Sequence, residues 1–367
     1  MAVVITGANG FIGRNLSVRL AELGTEVIGI GSDTPGEALD AALSRADAVI
    51  HLAGVNRPAD VAEFQTGNVE VTRDLCERIE ATGRRILLIY SSSTQAELDN
   101  PYGRSKRESE DAILEHGRRT GSPVRIFRLA NVFGKWARPN YNSAVATFCN
   151  NIARGLEISI HDPHAPLRLL YVDDAVAALV DLLGAPWDGV VFAQAGPVYD
   201  TTVGAVAEAI RGFPASRSTL VTDRVGTGLT RALYSTYLSY LEPAAFTYEV
   251  PRHGDARGVF VEMLKTPDCG QFSYFTAGPG ITRGQHYHHS KTEKFLVLTG
   301  QARFGFRHII TNERFEIVTE GGDGQIVETI PGWTHDITNI SDGEMVVMLW
   351  ANEIFDPARP DTVAQKV

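Results

Sequence analysis

Residues 2–13 read AVVITGANGFIG, and how this stretch folds decides the architecture of the first part of the chain. Val3 to Thr6 is an apolar run of strand length, Gly7, Gly10 and Gly13 follow in GxxGxxG spacing, and Ile12 to Glu22 carries a helical pattern. A strand that turns on glycine into a helix points the first helical N–H groups at whatever anion sits there, and a dinucleotide pyrophosphate fits that place. Gly7, Gly10, Phe11, Ile12 and Gly13 are therefore the expected cofactor-binding residues. A GxxGxxG in isolation can be a mere packing turn; what gives this one meaning is its position between a strand and a helix.

Working outward, Glu26 to Ile30, Ala48 to Leu52, Ile86 to Tyr90 and Val124 to Leu129 read as further strands, with helices expected at Val69 to Ile79 and Pro101 to His116. Strands separated by helices imply a doubly wound parallel sheet of the Rossmann type, an α/β fold with ligands at the carboxyl ends of the strands. After Tyr240 the pattern changes to short alternating runs at Phe272 to Thr276, Lys294 to Thr299, Ala302 to Ile309 and Met345 to Ala351, which is the signature of an all-β sandwich or barrel. The expected domains are 1–243 and 244–367.

The chain has 367 residues, is 44% hydrophobic and 21% charged, and carries a formal net charge of −10 with both signs interspersed. This is a globular composition without the basic stripe that nucleic acid requires, so no nucleic-acid partner is expected. MAVVITGANG lacks the basic start of a signal peptide, and no apolar stretch is long enough for a membrane span. Cys76, Cys149 and Cys269 are scattered and odd in number, which argues against a disulfide framework and for a reducing, cytoplasmic location.

Ser91, Ser92 and Ser93 end the fourth strand, and Tyr102 and Lys106 lie four residues apart on one helix face. A phenol titrates at about 10 in isolation, and a neighbouring ammonium favours its phenolate, so the pair suits acid–base work on a carbonyl. Ser93, with Ser92 and Thr94 as alternates, can hold the carbonyl oxygen by a hydrogen bond. After the second strand come Gly31, Ser32 and Asp33. Gly31 leaves room for a 2′-phosphate, whereas Asp33 opposes one and no arginine stands beside it, so NADPH is expected with NADH as the alternative.

These motifs resemble the extended short-chain dehydrogenase/reductase family over most of residues 1–240. The resemblance makes Ser93, Tyr102 and Lys106 catalytic. It makes Asp47 together with Leu52, Ala53 and Gly54 of HLAG an adenine-binding and cofactor-lining strand, and Asn68 the family's helix asparagine. It also makes Asn131, in RLANVFG, and Arg168, in RLLYVDD, the residues that face a nucleoside diphosphate.

Further on, Gly280, His286, His288, Glu293 and Gly300 fit G(x)5HxH(x)4E(x)6G, and His335 follows Gly324 and Gly332. Strand alternation puts His286 and His288 on one face, and with Glu293 and His335 they form a ligand set for Zn2+ or another divalent first-row ion. His289 reads as a solvated neighbour. The pattern resembles the two cupin motifs and implies a jelly roll. Asp255-Ala256-Arg257-Gly258 with Phe260 and Glu262, and Arg283-Gly284-Gln285-His286, also resemble deoxysugar 3,5-epimerases, in which the last histidine is the base. Lys294, Asp336 and Tyr287 are candidate bases by their closeness to the ligands in sequence.

The two halves together resemble the bacterial capsular-polysaccharide reductases of the CapF or WbjC type. That resemblance implies NADPH, zinc, a homodimer and a UDP-2-acetamido-4-keto-6-deoxyhexose in UDP-L-FucNAc synthesis, with epimerisation at C3 in the cupin followed by reduction at C4. Two rival readings are a single-activity NAD(P)-dependent nucleotide-sugar reductase, epimerase or dehydratase whose cupin only dimerises, and a dinucleotide-sensing regulatory protein.

Overall fold

In a computed structural model, which describes residues 1–186, 189–255, 258–261, 264, 270–353 and 358–367, the alternating segments of the first part become a parallel sheet flanked by helices. In chain order the elements are β1 (Ala2–Thr6), α1 (Phe11–Glu22), β2 (Glu26–Ile30), α2 (Gly36–Arg45), β3 (Ala48–His51), α3 (Val71–Ala81), β4 (Leu87–Ser93), α4 (Pro101–Thr120), β5 (Val124–Leu129), β6 (Asn131–Phe133), α5 (Ala144–Ala153), β7 (Pro166–Tyr171), α6 (Val172–Gly184), β8 (Val190–Ala193) and β9 (Val198–Thr202). Six strands run parallel in the order β2-β1-β3-β4-β5-β8. From β1 the chain winds first to β2 on one side and then to β3 on the other, so the order reverses at β1. The crevice at that reversal, outside the carboxyl ends of β1 and β3, is where a parallel sheet receives a ligand.

Local chemistry accounts for the boundaries that serve the site. Asn100 caps α4 by accepting from the Gly103 N–H at 2.8 Å, Pro101 fills the first helical position, and Gly121 ends the helix in the left-handed region. The helix therefore begins at Tyr102's doorstep and continues to Thr120, beyond the expected His116. The helix expected from Val69 starts as a wider turn, Gln65–Glu70, before α3 proper. Beneath these helices Val4, Val49, Leu88 and Ile126 of the strands meet Leu75, Ile79 and Ile113 in one buried cluster.

The second part continues with α7 (Val203–Thr219), α8 (Gly228–Leu238), β10 (Thr247–Glu249), β11 (Arg252–Asp255), β12 (Gly258–Val261), β13 (Gln271–Ala277), β14 (Thr282–Tyr287), β15 (Glu293–Thr299), β16 (Gln301–His308), β17 (Arg314–Glu320), β18 (Gln325–Glu328), β19 (Trp333–Asn339), β20 (Met345–Ala351) and β21 (Val363–Ala364). Two five-stranded sheets, β10-β18-β15-β20-β13 and β17-β16-β19-β14-β21, carry antiparallel pairings, and Phe295 of one sheet meets Phe304 of the other at 5.7 Å between ring centres.

The chain forms two compact units, 1–133 with 140–143 and 167–201, and 134–139 with 144–166 and 202–367. The change of sequence character near residue 243 is thus a change of secondary structure, while contacts keep α5, α7 and α8 with the strands that follow. Arg217 of α7 pairs with the buried Glu328 of β18, which Lys294 of β15 also neutralises, and Ser235 of α8 donates to the Ser290 carbonyl at 2.8 Å.

Candidate active site and metal centre

In the first unit the glycine loop leaves β1 at Gly7, whose φ is +71° and whose N–H donates to the Ile30 carbonyl at 2.9 Å. A Cβ on Gly13 would lie 2.2 Å from the Gly7 carbonyl oxygen, so only glycine lets the helix start this close to the turn. No side chain caps α1 at Gly10, which leaves its first N–H groups for an external anion. Across the crevice, the β3 exit is braced by a buried histidine. His51 bonds Thr6 Oγ1 through Nδ1 at 2.6 Å and Thr72 Oγ1 through Nε2 at 3.0 Å, and Thr6 Oγ1 in turn accepts from the Ala53 N–H at 3.3 Å. Burial, helped by Lys106, lowers the His51 pKa to about 3, so it is a neutral strut. Asn68 clamps the next residue, accepting from Val55 N–H at 2.7 Å and donating to Val55 O at 2.9 Å. Leu52, Ala53 and Gly54 thus line the crevice opposite the glycine loop.

Asp47 does not join them. It precedes β3, at the opposite end of the strand, where its carboxylate accepts from the Ala2 N–H at 2.8 Å and faces Arg84 at 3.7 Å. The expectation of an adenine contact is corrected: Asp47 ties down the start of the sheet. Ser32 is exposed just past β2, and the space above Gly31 is shared by two side chains, since a Cβ there would lie 2.7 Å from Asp33 Oδ1 and 2.8 Å from Asn9 Nδ2.

Of the three serines, Ser92 is committed to the buried Glu110, whose carboxylate is held at 2.9 and 2.6 Å by Arg128. Ser93 is different. Its oxygen accepts from the Gln95 N–H at 3.2 Å, which leaves its own proton to donate to a substrate oxygen. Tyr102 is half-buried on the first turn of α4 with its ring 5.6 Å from that of Phe64. Lys106, one turn on, is buried; its Nζ donates to the Ser91 carbonyl at 2.8 Å and sits 4.6 Å over the Tyr90 ring. Burial lowers its pKa, against the opposing pull of Tyr102 and Glu110. Asn131 and Arg168 lie on β6 and β7 of a small sheet, with Asn131 in register with Leu169. Arg168 is exposed and pairs with Asp200 at 3.1 Å, an ion pair weak enough for a phosphate to displace.

In the second unit, the ligand atoms of His286, His288, Glu293 and His335 all lie within 4.8 Å of one another. A bulge makes this happen. The β14–β19 register runs Thr282 to Thr338, Arg283 to Ile337 and Gly284 to Asp336, then slips so that His286 meets His335. Without the extra residue, Gln285, every later side chain of β14 would face the other way. His288 Nε2 stands 3.2 Å and His335 Nε2 3.4 Å from the same Glu293 oxygen. Among the described residues, neither ring nitrogen of the buried His335 makes a hydrogen bond of good geometry; Glu293 and the Trp333 backbone are its polar neighbours. Burial and the neighbouring imidazoles lower the His286 pKa to about 3, and burial lowers that of His335. Burial alone would raise the Glu293 pKa, but the facing His288 and His335 more than reverse it. An ionised carboxylate facing His286 and His335, whose charged forms burial disfavours, with two buried nitrogens that lack a well-formed hydrogen bond, suits a divalent-cation site. The residues fit the metal.

The cluster opens on a cavity of about 210 Å3 lined by Phe275, Phe295, Phe304, Leu349 and the exposed Arg283. Of the three candidate bases, Asp336 lines this cavity, with its carboxylate facing Arg303 at 3.5 Å, whereas Lys294 and Tyr287 do not: Lys294 alternates with Glu293 and is locked between Glu328 and Tyr248, and Tyr287 alternates with His286 and His288 and meets His289 edge-on. Both are direct neighbours of a ligand on a strand, which alternation turns to the opposite face. Ala256, Arg257 and Glu262 of the epimerase-like stretch lie outside the described residues.

One participant was not anticipated. Asp361 holds the turn between His288 and Glu293 through three backbone N–H groups, and its carbonyl accepts from His288 Nδ1. A lone aspartate in a proline-flanked stretch gives no sequence signal for that.

Residues 3–192 match the NAD dependent epimerase/dehydratase family and residues 253–363 the polysaccharide biosynthesis C-terminal domain. A Pseudomonas aeruginosa protein, UDP-2-acetamido-2,6-beta-L-arabino-hexul-4-ose reductase, is 55% identical over 368 residues, covering 100% of this chain and 99% of its own. The crystal structure of the capsular polysaccharide assembling protein CapF from Staphylococcus aureus covers 100% of both chains at 39% identity and a TM-score of 0.68. UDP-glucuronic acid 4-epimerase from Bacillus cereus, at 19% identity over 59% of this chain and 83% of its own with a TM-score of 0.53, shares the fold alone. The chain belongs to the NAD dependent epimerase/dehydratase family, in the bipartite form that CapF represents.

Proposed function

We propose that the chain is a bifunctional nucleotide-sugar enzyme: residues 244–367 epimerise a UDP-2-acetamido-4-keto-6-deoxyhexose at C3, and residues 1–243 reduce its C4 ketone with NADPH. The observation that carries the reduction is the 55% identity, end to end, with a UDP-sugar ketose reductase. The epimerisation is carried by the four-ligand cluster with its orphaned imidazole nitrogens.

A ketone at C4 acidifies the hydrogen on C3, so a base with an electrophile near the carbonyl can invert that centre. A divalent ion, Zn2+ in our reading, held by His286, His288, Glu293 and His335, supplies a Lewis acid. The apolar wall of Phe275, Phe295 and Phe304 excludes water from the cavity, and Arg283 at its edge offers a fork to the diphosphate. The bound nicotinamide supplies the hydride. On the reductase side, Ser93 donates to the C4 oxygen and orients it, Tyr102 delivers the proton to that oxygen, and the buried Lys106 ammonium favours the resulting phenolate. Asn131 and Arg168 take the diphosphate. Gly7, Gly10, Phe11, Ile12 and Gly13 receive the pyrophosphate of the cofactor, with Leu52, Ala53 and Gly54 along its length and Ser32 near the adenosine ribose. The Asn9 carboxamide above Gly31 can donate to a 2′-phosphate, and Asp33 opposes it; we assign NADPH, with NADH as the competitor.

Reduction removes the acidity that made C3 exchangeable, so the order of events is epimerise, then trap. No described helix is long and apolar enough to cross a membrane, and Cys76 and Cys149 are buried and free. We read the enzyme as a cytoplasmic homodimer.

The test follows deuterium uptake at C3 by NMR and NADPH oxidation by absorbance on the same 4-keto sugar. Tyr102→Phe is expected to lose about 10²–10⁴-fold in reduction while keeping exchange and cofactor binding. His288→Gln is expected to lose the exchange. Undiminished exchange in His288→Gln would leave a reductase with a structural β domain, and an inactive parent protein would favour a dinucleotide sensor.

A further inference from the structure

The ligands His288 and Glu293 are joined by a turn, His289–Thr292, and the distance between them is only as fixed as that turn. Its residues Ser290, Lys291 and Thr292 are buried. Asp361 reaches it from far along the chain. Its Oδ1 accepts from the His289 N–H at 2.8 Å, and its Oδ2 accepts from the N–H of Ser290 at 2.7 Å, that of Lys291 at 2.7 Å and the Ser290 hydroxyl at 3.0 Å. Three successive N–H groups converging on one carboxylate form an anion nest whose anion is built into the protein.

The same residue acts on the ligand itself. The Asp361 carbonyl accepts from His288 Nδ1, which fixes the orientation of the ring and holds its other nitrogen, Nε2, on the Glu293 side at 3.2 Å. Beyond Asp361 the backbone runs beside β14 as β21, with Ala364 in register with His286 and Val363 with Tyr287, and the Gln365 N–H donates to the Gln285 carbonyl at 2.8 Å. One short segment therefore touches the ring of the second ligand, the backbone of the first and the turn leading to the third.

We propose that Asp361 is a positioning residue of the metal centre, fixing the His288 ring and the His288–Glu293 spacing. The proposal rests on the metal reading above. The turn has other anchors: the Thr292 N–H donates to Asn352 Oδ1 at 2.9 Å and Ser235 holds the Ser290 carbonyl, so loss of the carboxylate leaves a folded domain. An asparagine at 361 has a single acceptor oxygen and an NH2 that cannot accept, so it can satisfy only one side of the nest.

The experiment uses the full chain stripped of metal. Zn2+ affinity is measured by competition with a chromogenic chelator, Co2+ is titrated for its visible absorption spectrum, and thermal unfolding is followed in the metal-free state. Asp361→Asn is expected to weaken Zn2+ binding by about 10–100-fold and to change the cobalt spectrum, with Asp361→Ala weaker still, while metal-free unfolding temperatures stay near that of the parent. Unchanged Zn2+ affinity and an unchanged cobalt spectrum in Asp361→Asn would overturn the proposal and reduce Asp361 to an anchor of the fold. A parent protein that takes up neither ion would overturn the metal reading itself, and the proposal with it.

Discussion

Each unit of the molecule buries histidines, and two of them, His51 and His335, are satisfied in opposite ways. His51 in the first unit has a threonine hydroxyl on each ring nitrogen, at 2.6 and 3.0 Å. His335 in the second has no well-formed hydrogen bond on either nitrogen among the described residues, and it faces a carboxylate oxygen at 3.4 Å that also faces His288. Burial disfavours the charged form of both. Buried polar atoms are almost always paired. Where the chain supplies the partners, the imidazole is framework; where it gathers three imidazoles around one carboxylate, the group could hold a cation, as we propose.

The largest effect expected from this contrast is on metal-linked stability. An ion that binds the folded chain alone adds about 4 kcal/mol at a thousandfold excess over its dissociation constant. Chelation should therefore lower the unfolding temperature of the parent protein, and His335→Ala should abolish the difference between chelated and zinc-loaded samples. The check is thermal unfolding with and without chelator. A parent protein indifferent to chelation would break the comparison, since the orphaned nitrogens would then have no cation to explain them.

A smaller effect separates His51 by pH. Its pKa is about 3 in the folded chain against an ordinary value near 6.5, so the unfolded state binds the extra proton. The stability contributed by the neutral ring is fully present above pH 6.5 and is lost as pH falls from 6.5 toward 3, at about 1.4 kcal/mol per pH unit. His51→Gln should flatten the pH dependence by about that slope between pH 5 and 6, measured by denaturant unfolding. An unchanged slope would mean that His51 is protonated in its threonine cradle.

The parts of this molecule that depend on local rules were legible in the sequence. Strand β1, the glycine turn and the start of α1 follow from a hydrophobic run and three glycines, and β2 and β5 fall on their expected residues because apolar runs bounded by polar turns leave little choice. The convergence of His286, His288, Glu293 and His335 was legible because strand period and motif spacing agree, although the bulge at Gln285 that brings His286 opposite His335 is a matter of backbone register. Long-range partners were not legible. Glu110 claims Ser92 from 18 residues away, Asp361 reaches the ligand turn from 70, and neither pairing leaves a mark on composition or periodicity. Two of the candidate bases fall away for a simpler reason: Lys294 and Tyr287 were chosen as neighbours of ligands, and alternation sends neighbours to the opposite face, while Asp336 still lines the cavity.

Asp47 gives the smallest expected effect and the sharpest check on the first unit. Three residues of β3 separate it from His51, about 13 Å at strand rise, and the crevice lies beyond that far end. Its carboxylate accepts from the Ala2 N–H at 2.8 Å and its own N–H donates to the Ala2 carbonyl at 2.8 Å, which ties the beginnings of two strands whose other ends carry Gly7 and Leu52. Asp47→Asn keeps an acceptor for that N–H, and the half-exposed Arg84 at 3.7 Å contributes little. The KM for the dinucleotide should therefore stay within about twofold of the parent value, and stability should fall by no more than about 1 kcal/mol. A tenfold rise in KM with unchanged stability would return Asp47 to the cofactor. It would also show that the crevice between β1 and β3 is not where the dinucleotide lies, which removes the reason for reading His51 as the strut of a cofactor site.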